Sequence, residues 1–220
     1  MLRGQLVVSC QPVTGGPMDA PAVVAAMALA ALAGGAAGLR IEGLANVRAV
    51  RAVTDRPVIG LVKRAEPDSD IYITPRPEDV AALCAAGADI VAFDATARPR
   101  PAPLAALVAA AHAGGALAMA DLAAEADAAP ALAASVDILG TTLSGYTGGA
   151  VPQAPDLALV TALARLGRPV FAEGRYRTPE QAREAIAAGA SCVVVGSAIT
   201  RIEHITGWFA DAVRAASGAA

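Results

Sequence analysis

The sequence predicts an α/β fold, a single (β/α)8 TIM barrel spanning residues 1–220. Short runs rich in β-branched residues alternate eight times with longer alanine-rich stretches. The short runs are almost continuously apolar, as expected for strands of a parallel sheet that is covered on both faces. Eight βα units in 220 residues fit a barrel near the small end of its size range.

The elements follow in strict alternation along the chain. The predicted strands cover the apolar runs at 5–10, 38–42, 58–63, 90–94, 117–121, 138–141, 170–173 and 192–195. The predicted helices cover 22–33, 45–53, 77–86, 102–113, 123–134, 155–166, 179–188 and 199–215. A doubly wound open sheet is the structural alternative, but no G-x-G-x-x-G motif follows the first strand.

Helix boundaries support this assignment. The segments Ala-Ala-Gly-Ala at 85–88 and 187–190 and His-Ala-Gly-Gly at 112–115 place glycine where a helix ends in a left-handed residue. Thr178 precedes Pro179, which is the order of an N-cap and a first helical position.

Composition excludes several classes of protein. Aromatic residues make up 3% and the net charge is -3, which leaves little for base stacking or for attraction to phosphate backbones, so no nucleic acid partner is expected. The three cysteines, Cys10, Cys84 and Cys192, are far apart and suggest neither a disulfide framework nor a metal pair. A cytoplasmic location fits this cysteine usage.

One apolar segment, residues 20–39, has the length of a membrane span. Its apolarity comes mostly from alanine and glycine, and the Gly34-Gly35 pair would break a helix there. We therefore expect no membrane role.

Polar residues follow the apolar runs and should converge at the C-terminal mouth of the barrel, where such folds carry their active sites. Lys63 is the only lysine and follows the third run. Because burial can bring an ammonium group, but not a guanidinium group, into range for proton transfer, Lys63 is a candidate catalytic base. The alternative is an ordinary surface lysine.

Glu173 ends the seventh predicted strand. Together with Lys63 it would form an acid/base pair of opposite charges at one mouth. Alternatively, Glu173 is paired with Arg175, two residues further along the same face.

The eighth unit predicts a phosphate site. Gly196 allows close backbone approach, Ser197 offers a hydroxyl at the start of a helix, and Arg201 adds a planar fork for anion oxygens. Barrels often build phosphate sites from the loops after strands seven and eight, so Gly174 joins this set.

Other candidates are less specific. Arg40 could bind substrate oxygens or pair with Glu42, and Asp121 could orient sugar hydroxyls or cap the following helix. His112 and His204 fall within helical patterns and are interpreted as structural. The sequence contains no constellation of metal ligands.

Ordered motifs along nearly the whole chain carry a family resemblance. They are Val-Ser-Cys-Gln-Pro at 8–12, Arg-Ile-Glu-Gly at 40–43, Val-Lys-Arg at 62–64, Tyr-Ile-Thr-Pro at 72–75, Asp-Ala-Thr-Ala-Arg-Pro-Arg-Pro at 94–101, Thr-Thr-Leu-Ser-Gly-Tyr-Thr at 141–147, Ala-Glu-Gly-Arg at 172–175 and Val-Gly-Ser-Ala-Ile-Thr-Arg at 195–201. The sequence resembles the N-acetylmannosamine-6-phosphate 2-epimerase family.

This resemblance implies a homodimeric enzyme of sialic acid and amino sugar catabolism that interconverts N-acetylmannosamine 6-phosphate and N-acetylglucosamine 6-phosphate without a cofactor. By the family's pattern, Lys63 would remove and return the C2 proton and Glu173 would assist. The positions matching substrate contacts are Gln11, Arg40 and Asp121, and those matching the phosphate site are Gly196, Ser197 and Arg201. Two alternatives stay open: an aldolase that uses Lys63 as a Schiff-base nucleophile, and a non-catalytic barrel that binds sugar phosphates.

Overall fold

A computed structural model describes residues 2–218 of the chain. Its eight strands form a closed parallel barrel in chain order, with β8 paired to β1. The strands are β1 (Gln5–Cys10), β2 (Gly38–Glu42), β3 (Val58–Leu61), β4 (Ile90–Asp94), β5 (Leu117–Asp121), β6 (Ile138–Gly140), β7 (Val170–Glu173) and β8 (Cys192–Val195). The predicted (β/α)8 barrel is therefore confirmed.

Helices follow every strand. They are α1 (Pro21–Ala33), α2 (Leu44–Arg51), α3 (Pro77–Ala85), α4 (Leu104–Ala113), α5 (Ala128–Ala133), α6 (Leu157–Ala164), α7 (Pro179–Ala187), α8 (Ser197–Thr200) and α9 (Ile202–Ala216). Within residues 2–218, no helix is long and apolar enough to cross a membrane. The apolar 20–39 segment instead supplies α1, a turn at Gly34 and Gly35, and the first residues of β2.

The core has two layers because successive strand residues face opposite sides of the sheet. The barrel interior is filled by side chains from most of the strands, among them Val7, Leu61, Ala92, Met119, Phe171 and Val194. A larger layer, which includes Val8, Leu39 and Ile41, lies between strands and helices. In β2 this alternation turns Arg40, between Leu39 and Ile41, toward the interior, so the barrel encloses a charge.

The expected helix boundaries are present. Gly87, Gly115 and Gly189 have φ of 99°, 77° and 106°, a region where a side chain is disfavoured. Thr178 caps α7 by accepting a hydrogen bond from the Gln181 backbone N–H, with Pro179 at the first turn.

The third strand is shorter than predicted, and the reason bears on the site. The prediction of 58–63 extends beyond the observed end at Leu61. After Leu61 the chain leaves the barrel ladder and pairs with its own loop, since Lys63 forms an antiparallel bridge with Ile73 and the Thr74 N–H donates to the Val62 carbonyl. This pairing holds the backbone of Lys63 at the rim.

The fifth helix is interrupted where the sequence predicts a continuous one over 123–134. A 3-10 turn, Glu125–Asp127, precedes the short α5. The Asp127 carboxylate accepts hydrogen bonds from the backbone N–H groups of Ala97, Ala123 and Ala124, which ties the start of this segment to the loop after β4.

The last predicted helix, 199–215, is two helices with a break at Arg201, where φ is -100° and ψ is 86°. Two side chains at the break are bound to the end of β1 and to the loop that follows it. The Thr200 hydroxyl donates to the Ser9 carbonyl at 2.7 Å, and Arg201 Nε donates to the Gln11 carbonyl at 2.9 Å. These bonds fix α8 on the barrel while α9 leaves in a new direction.

Candidate active site

A cavity of about 430 Å³ opens at the mouth formed by the C-terminal ends of the strands. Eight of the nine residues that the sequence predicts for the site line it: Gln11, Arg40, Lys63, Glu173, Gly174, Gly196, Ser197 and Arg201. The ninth, Asp121, is fully buried behind Arg40. Asp121 does not line the cavity directly and binds Arg40, which does.

Arg40 is the centre of a buried charge cluster. Its Nη2 lies 2.6 Å from Asp121 Oδ2, and its Nη1 lies 3.3 Å from Asp121 Oδ1 and 3.1 Å from Glu173 Oε2. Neither of the short-range pairs that the sequence suggested, Arg40 with Glu42 and Glu173 with Arg175, is formed. Arg40 binds across the barrel instead. Arg175 donates to the Ser144 and Ala154 carbonyls rather than to Glu173.

The cluster depends on close packing beneath it. A Cβ added to Gly140 would lie 2.6 Å from Met119 Cε and 3.0 Å from Asp121 Oδ1. A side chain at this position would therefore displace the flexible end of Met119 and press against the Asp121 carboxylate, which glycine avoids.

Glu173 is poised to exchange a proton near neutral pH. Burial raises the pKa of Glu173 to about 7, and the negative charge of Asp121 adds to the rise, while the positive charge of Arg40 opposes it. A carboxyl with this pKa can act as either acid or base at physiological pH.

Lys63 lies in the same cavity and its pKa is lowered. The main cause is loss of water around the ammonium group, and the positive charges of Arg201 and Arg40 contribute in the same direction. Glu42 and Glu173 oppose the shift. A lysine whose pKa is lowered provides more of the neutral amine that can accept a proton.

The predicted phosphate residues also line the cavity. Gly174 has φ of 113°, a conformation that favours glycine, and Gly196 and Ser197 begin α8. Arg201 is held by its Nε bond to Gln11, and its two terminal nitrogens have no hydrogen bond to the protein within residues 2–218. Arg201 thus presents free donors beside the loop.

Several residues at the mouth were not predicted. All three tyrosines, Tyr72, Tyr146 and Tyr176, and the single tryptophan, Trp208, line the cavity. His204, on α9, also lines the cavity, whereas His112 binds Asp137 at 2.8 Å on another face. The sequence did contain a usable signal, because the chain has only three tyrosines and all three fall in loops that follow predicted strands.

Two cation–π contacts organise this aromatic rim. The Arg175 guanidinium lies 5.5 Å from the centre of the Tyr146 ring, and that of Arg177 lies 4.9 Å from the Trp208 ring. Such contacts hold the loops after β6 and β7 and the start of α9 around the cavity.

A closed parallel barrel with a titrating carboxyl, an arginine and a lysine of lowered pKa at its C-terminal mouth defines a (β/α)8-barrel enzyme whose chemistry is proton transfer. The profile of the NanE family, described as "Putative N-acetylmannosamine-6-phosphate epimerase", matches residues 24–215. The chain belongs to this family.

Sequence relatives and solved structures support the same family assignment. The chain is 59% identical over 213 residues to a "Putative N-acetylmannosamine-6-phosphate 2-epimerase" of Yersinia pseudotuberculosis serotype O:1b, covering 97% of this chain and 91% of the relative. It is similar to the solved N-acetylmannosamine-6-phosphate 2-epimerase of Clostridium perfringens, with a TM-score of 0.92, 39% identity, and coverage of 96% and 93%. A thiamine phosphate pyrophosphorylase of Pyrococcus furiosus, at 19% identity and a TM-score of 0.62 over 89% of this chain and 87% of its own, shares the fold.

Proposed function

We propose that the protein is an epimerase that interconverts N-acetylmannosamine 6-phosphate and N-acetylglucosamine 6-phosphate by proton transfer at C2. The observation that carries this proposal is the presence of Lys63 and Glu173 in one cavity, each influencing the pKa of the other. Family membership supports the choice of substrate, and the residues that line the cavity support the assignment of a base, an acid and a phosphate loop.

Proton removal is assigned to Lys63. The C2 hydrogen is acidic only while C2 is next to a carbonyl, so the reacting form is the open-chain aldehyde. The neutral amine of Lys63 takes this proton, and the C2–H electron pair moves into the C1–C2 bond to give an enolate. Return of a proton to the opposite face of C2, from the Lys63 ammonium group or from its partner acid Glu173, produces the other sugar.

Arg40 and Glu173 act on the oxygen of the enolate. The fixed charge of Arg40 stabilises the negative charge that develops, at no cost of reorganisation during the reaction. Glu173, with a pKa of about 7, assists as the partner acid/base of Lys63 or holds the reacting oxygen. Asp121 positions Arg40 through two hydrogen bonds.

The phosphate contacts are assigned to Gly174, Gly196, Ser197 and Arg201, with Gln11 beside them. We expect Arg201→Ala to raise the KM of the sugar phosphate about 10- to 100-fold, because a hydrogen bond to a charged group contributes ~1.5–3 kcal/mol. Steady-state kinetics check this, with Arg201→Lys as the charge-retaining control. An unchanged KM would remove Arg201 from the phosphate site.

The function is tested by proton NMR of purified protein mixed with either sugar phosphate alone. The proposal predicts that both reactions reach the same mixture of the two sugars. Borohydride added during turnover separates the alternative, because a Schiff base of Lys63 would be reduced to a stable adduct and simple proton transfer leaves none. A trapped adduct, or no interconversion, would contradict the proposal.

The proposed setting is the cytoplasm, in sialic acid and amino sugar catabolism. Three cysteines without a disulfide partner, two of them buried, agree with a reducing compartment. The pathway follows from the substrate that the family's description names.

We further propose that the protein is a homodimer that exchanges α9. No side chain of α9 is buried, and Ile202, Phe209 and Val213 are 54%, 71% and 64% exposed. On the same chain, a groove of about 450 Å³ between α7 and β8 is lined by apolar residues that include Leu6, Ile186, Val193 and Ile199. The apolar face of one copy's α9 fits the bare groove of another, which would bury both surfaces.

The dimer gives a direct prediction. Phe209→Glu is expected to convert the protein from a dimer to a monomer of 21.8 kDa, since a charge cannot be buried unpaired in the groove. Light scattering at equal concentrations measures the mass. Val53→Glu, in the turn after α2 where Val53 is 43% exposed and lines neither the groove nor α9, serves as control and should stay dimeric. A wild-type monomer would rule out the exchange.

A further inference from the structure

The Thr142 hydroxyl lies between two carboxyl groups. Its Oγ1 is 2.6 Å from Asp121 Oδ1 and 3.2 Å from Glu173 Oε2. The two acidic side chains are only 0% and 13% exposed, so water contributes little to either group. A hydroxyl has one hydrogen to donate, and therefore Thr142 cannot donate to both carboxyl groups at once.

The two oxygens of Glu173 have different surroundings. Oε2 receives Arg40 Nη1 at 3.1 Å and also faces Thr142. Oε1 has no hydrogen-bond partner within residues 2–218, and Glu173 lines the cavity. Because Oε2 is surrounded by donors, it is the better acceptor. The exchanged proton of Glu173 therefore belongs on Oε1.

We infer that Thr142 is a positioning residue whose hydroxyl hydrogen changes partner when Glu173 changes its protonation state. While Oε1 carries its proton, the hydroxyl donates to Asp121. When that proton passes to the substrate, the ionised carboxylate becomes the stronger acceptor, and the hydroxyl turns about its C–O bond to donate to Oε2. Thr142 keeps its own proton throughout, and no covalent bond of Thr142 changes.

The charges facing Glu173 come from around the barrel. They are Arg40 on β2, Lys63 after β3 and Asp121 on β5, while the Cys192 thiol on β8 stays protonated because burial raises its pKa to about 12. The hydrogen bond from Thr142 acts against the burial that raises the pKa of Glu173. Since this bond stabilises the ionised form, removing it raises the pKa of Glu173 further.

The kinetic test compares Thr142→Val, which keeps the shape and removes the hydroxyl, with Thr142→Ser, which keeps the hydroxyl. The alkaline limb of the pH profile of kcat is where Glu173 loses its proton. For the valine variant we expect this limb to move up by about one pH unit. We also expect kcat to be lower by about tenfold and KM to be unchanged. The serine variant restores both. Thr161→Val, on α6 where the hydroxyl donates to the Leu157 carbonyl, is the matched control and keeps the wild-type profile.

This inference rests on the proposed function, but its second test needs no activity. Folding raises the pKa of Glu173 from 4.5 to about 7, so the folded state binds this proton more tightly and its stability falls as pH rises through that window. Because Thr142→Val raises the pKa of Glu173 further, the stability of this variant continues to fall at higher pH. The loss of unfolding free energy relative to wild type should therefore be larger at about pH 8 than at about pH 5, whereas a purely structural loss would be equal at both.

The outcomes are distinct. An unchanged alkaline limb with an equal stability loss at both pH values, or lost activity that serine does not restore, would overturn the role of Thr142. If the valine variant does not fold, Thr142→Ala takes its place in both tests. A wild-type protein that interconverts no sugar would refute the proposed function, and the stability comparison would still decide the behaviour of the hydroxyl.

Discussion

Replacing Lys63 by alanine is expected to lower the rate of sugar interconversion by about 10²–10⁴-fold, the range that a positioned acid/base group contributes. No other lysine exists in the chain to take its place. The neighbouring Arg64 binds Asp79 at the rim, and a guanidinium group supplies no neutral base for the C2 proton. The measurement is the rate at which one sugar phosphate appears from the other, followed by NMR.

A matched variant separates charge from proton transfer. Lys63→Arg keeps a positive charge near Glu173 but supplies no neutral base, and we expect it to be as inactive as Lys63→Ala. The aldolase alternative also loses activity with either variant, which is why borohydride trapping of the wild type accompanies this test. Full activity in Lys63→Arg would show that the lysine acts only through its charge.

Arg40→Met is expected to lower the free energy of unfolding by about 3–5 kcal/mol as well as to impair catalysis. Removing the guanidinium leaves the Asp121 carboxylate, which is 0% exposed, without its cation, and breaking one partner of a buried ion pair carries a cost of that size. Urea unfolding at pH 7 measures the change.

Two further variants test this explanation. Adding Asp121→Asn to Arg40→Met removes the unpaired charge and should recover part of the stability without recovering activity. Arg48→Met, at an exposed position on α2, is expected to change stability by no more than about 0.5 kcal/mol. A loss below about 1 kcal/mol in Arg40→Met would show that the pair with Arg40 is not what stabilises Asp121 in the barrel interior.

The alternation of strands and helices could be predicted because the parallel barrel imposes it locally. Each strand is a short apolar run, and each helix stop at Gly87, Gly115 and Gly189 depends only on the residues around it. For the same reason, residues that end or follow a strand, such as Glu173 and Lys63, could be placed at one mouth without knowing the coordinates.

Contacts across the barrel could not be predicted. Arg40 on β2 meets Asp121 on β5 through the interior, so this pair depends on closure of the sheet and on the space that Gly140 leaves. Proximity in the sequence instead suggested Glu42 as the partner of Arg40, and a helix cap as the role of Asp121. The Thr142 contacts and the departure of α9 after Arg201 likewise depend on residues far apart in the chain.

The central claim is that Lys63, with Glu173 as its partner, transfers a proton at C2 of a bound sugar phosphate. The most direct test is to let the wild-type protein bring N-acetylmannosamine 6-phosphate to equilibrium in deuterated water and to locate the label in both sugars by NMR and mass spectrometry. The account predicts deuterium at C2 of both sugars and at no other carbon. Interconversion that retains the original hydrogen at C2, or label at another carbon, would contradict it.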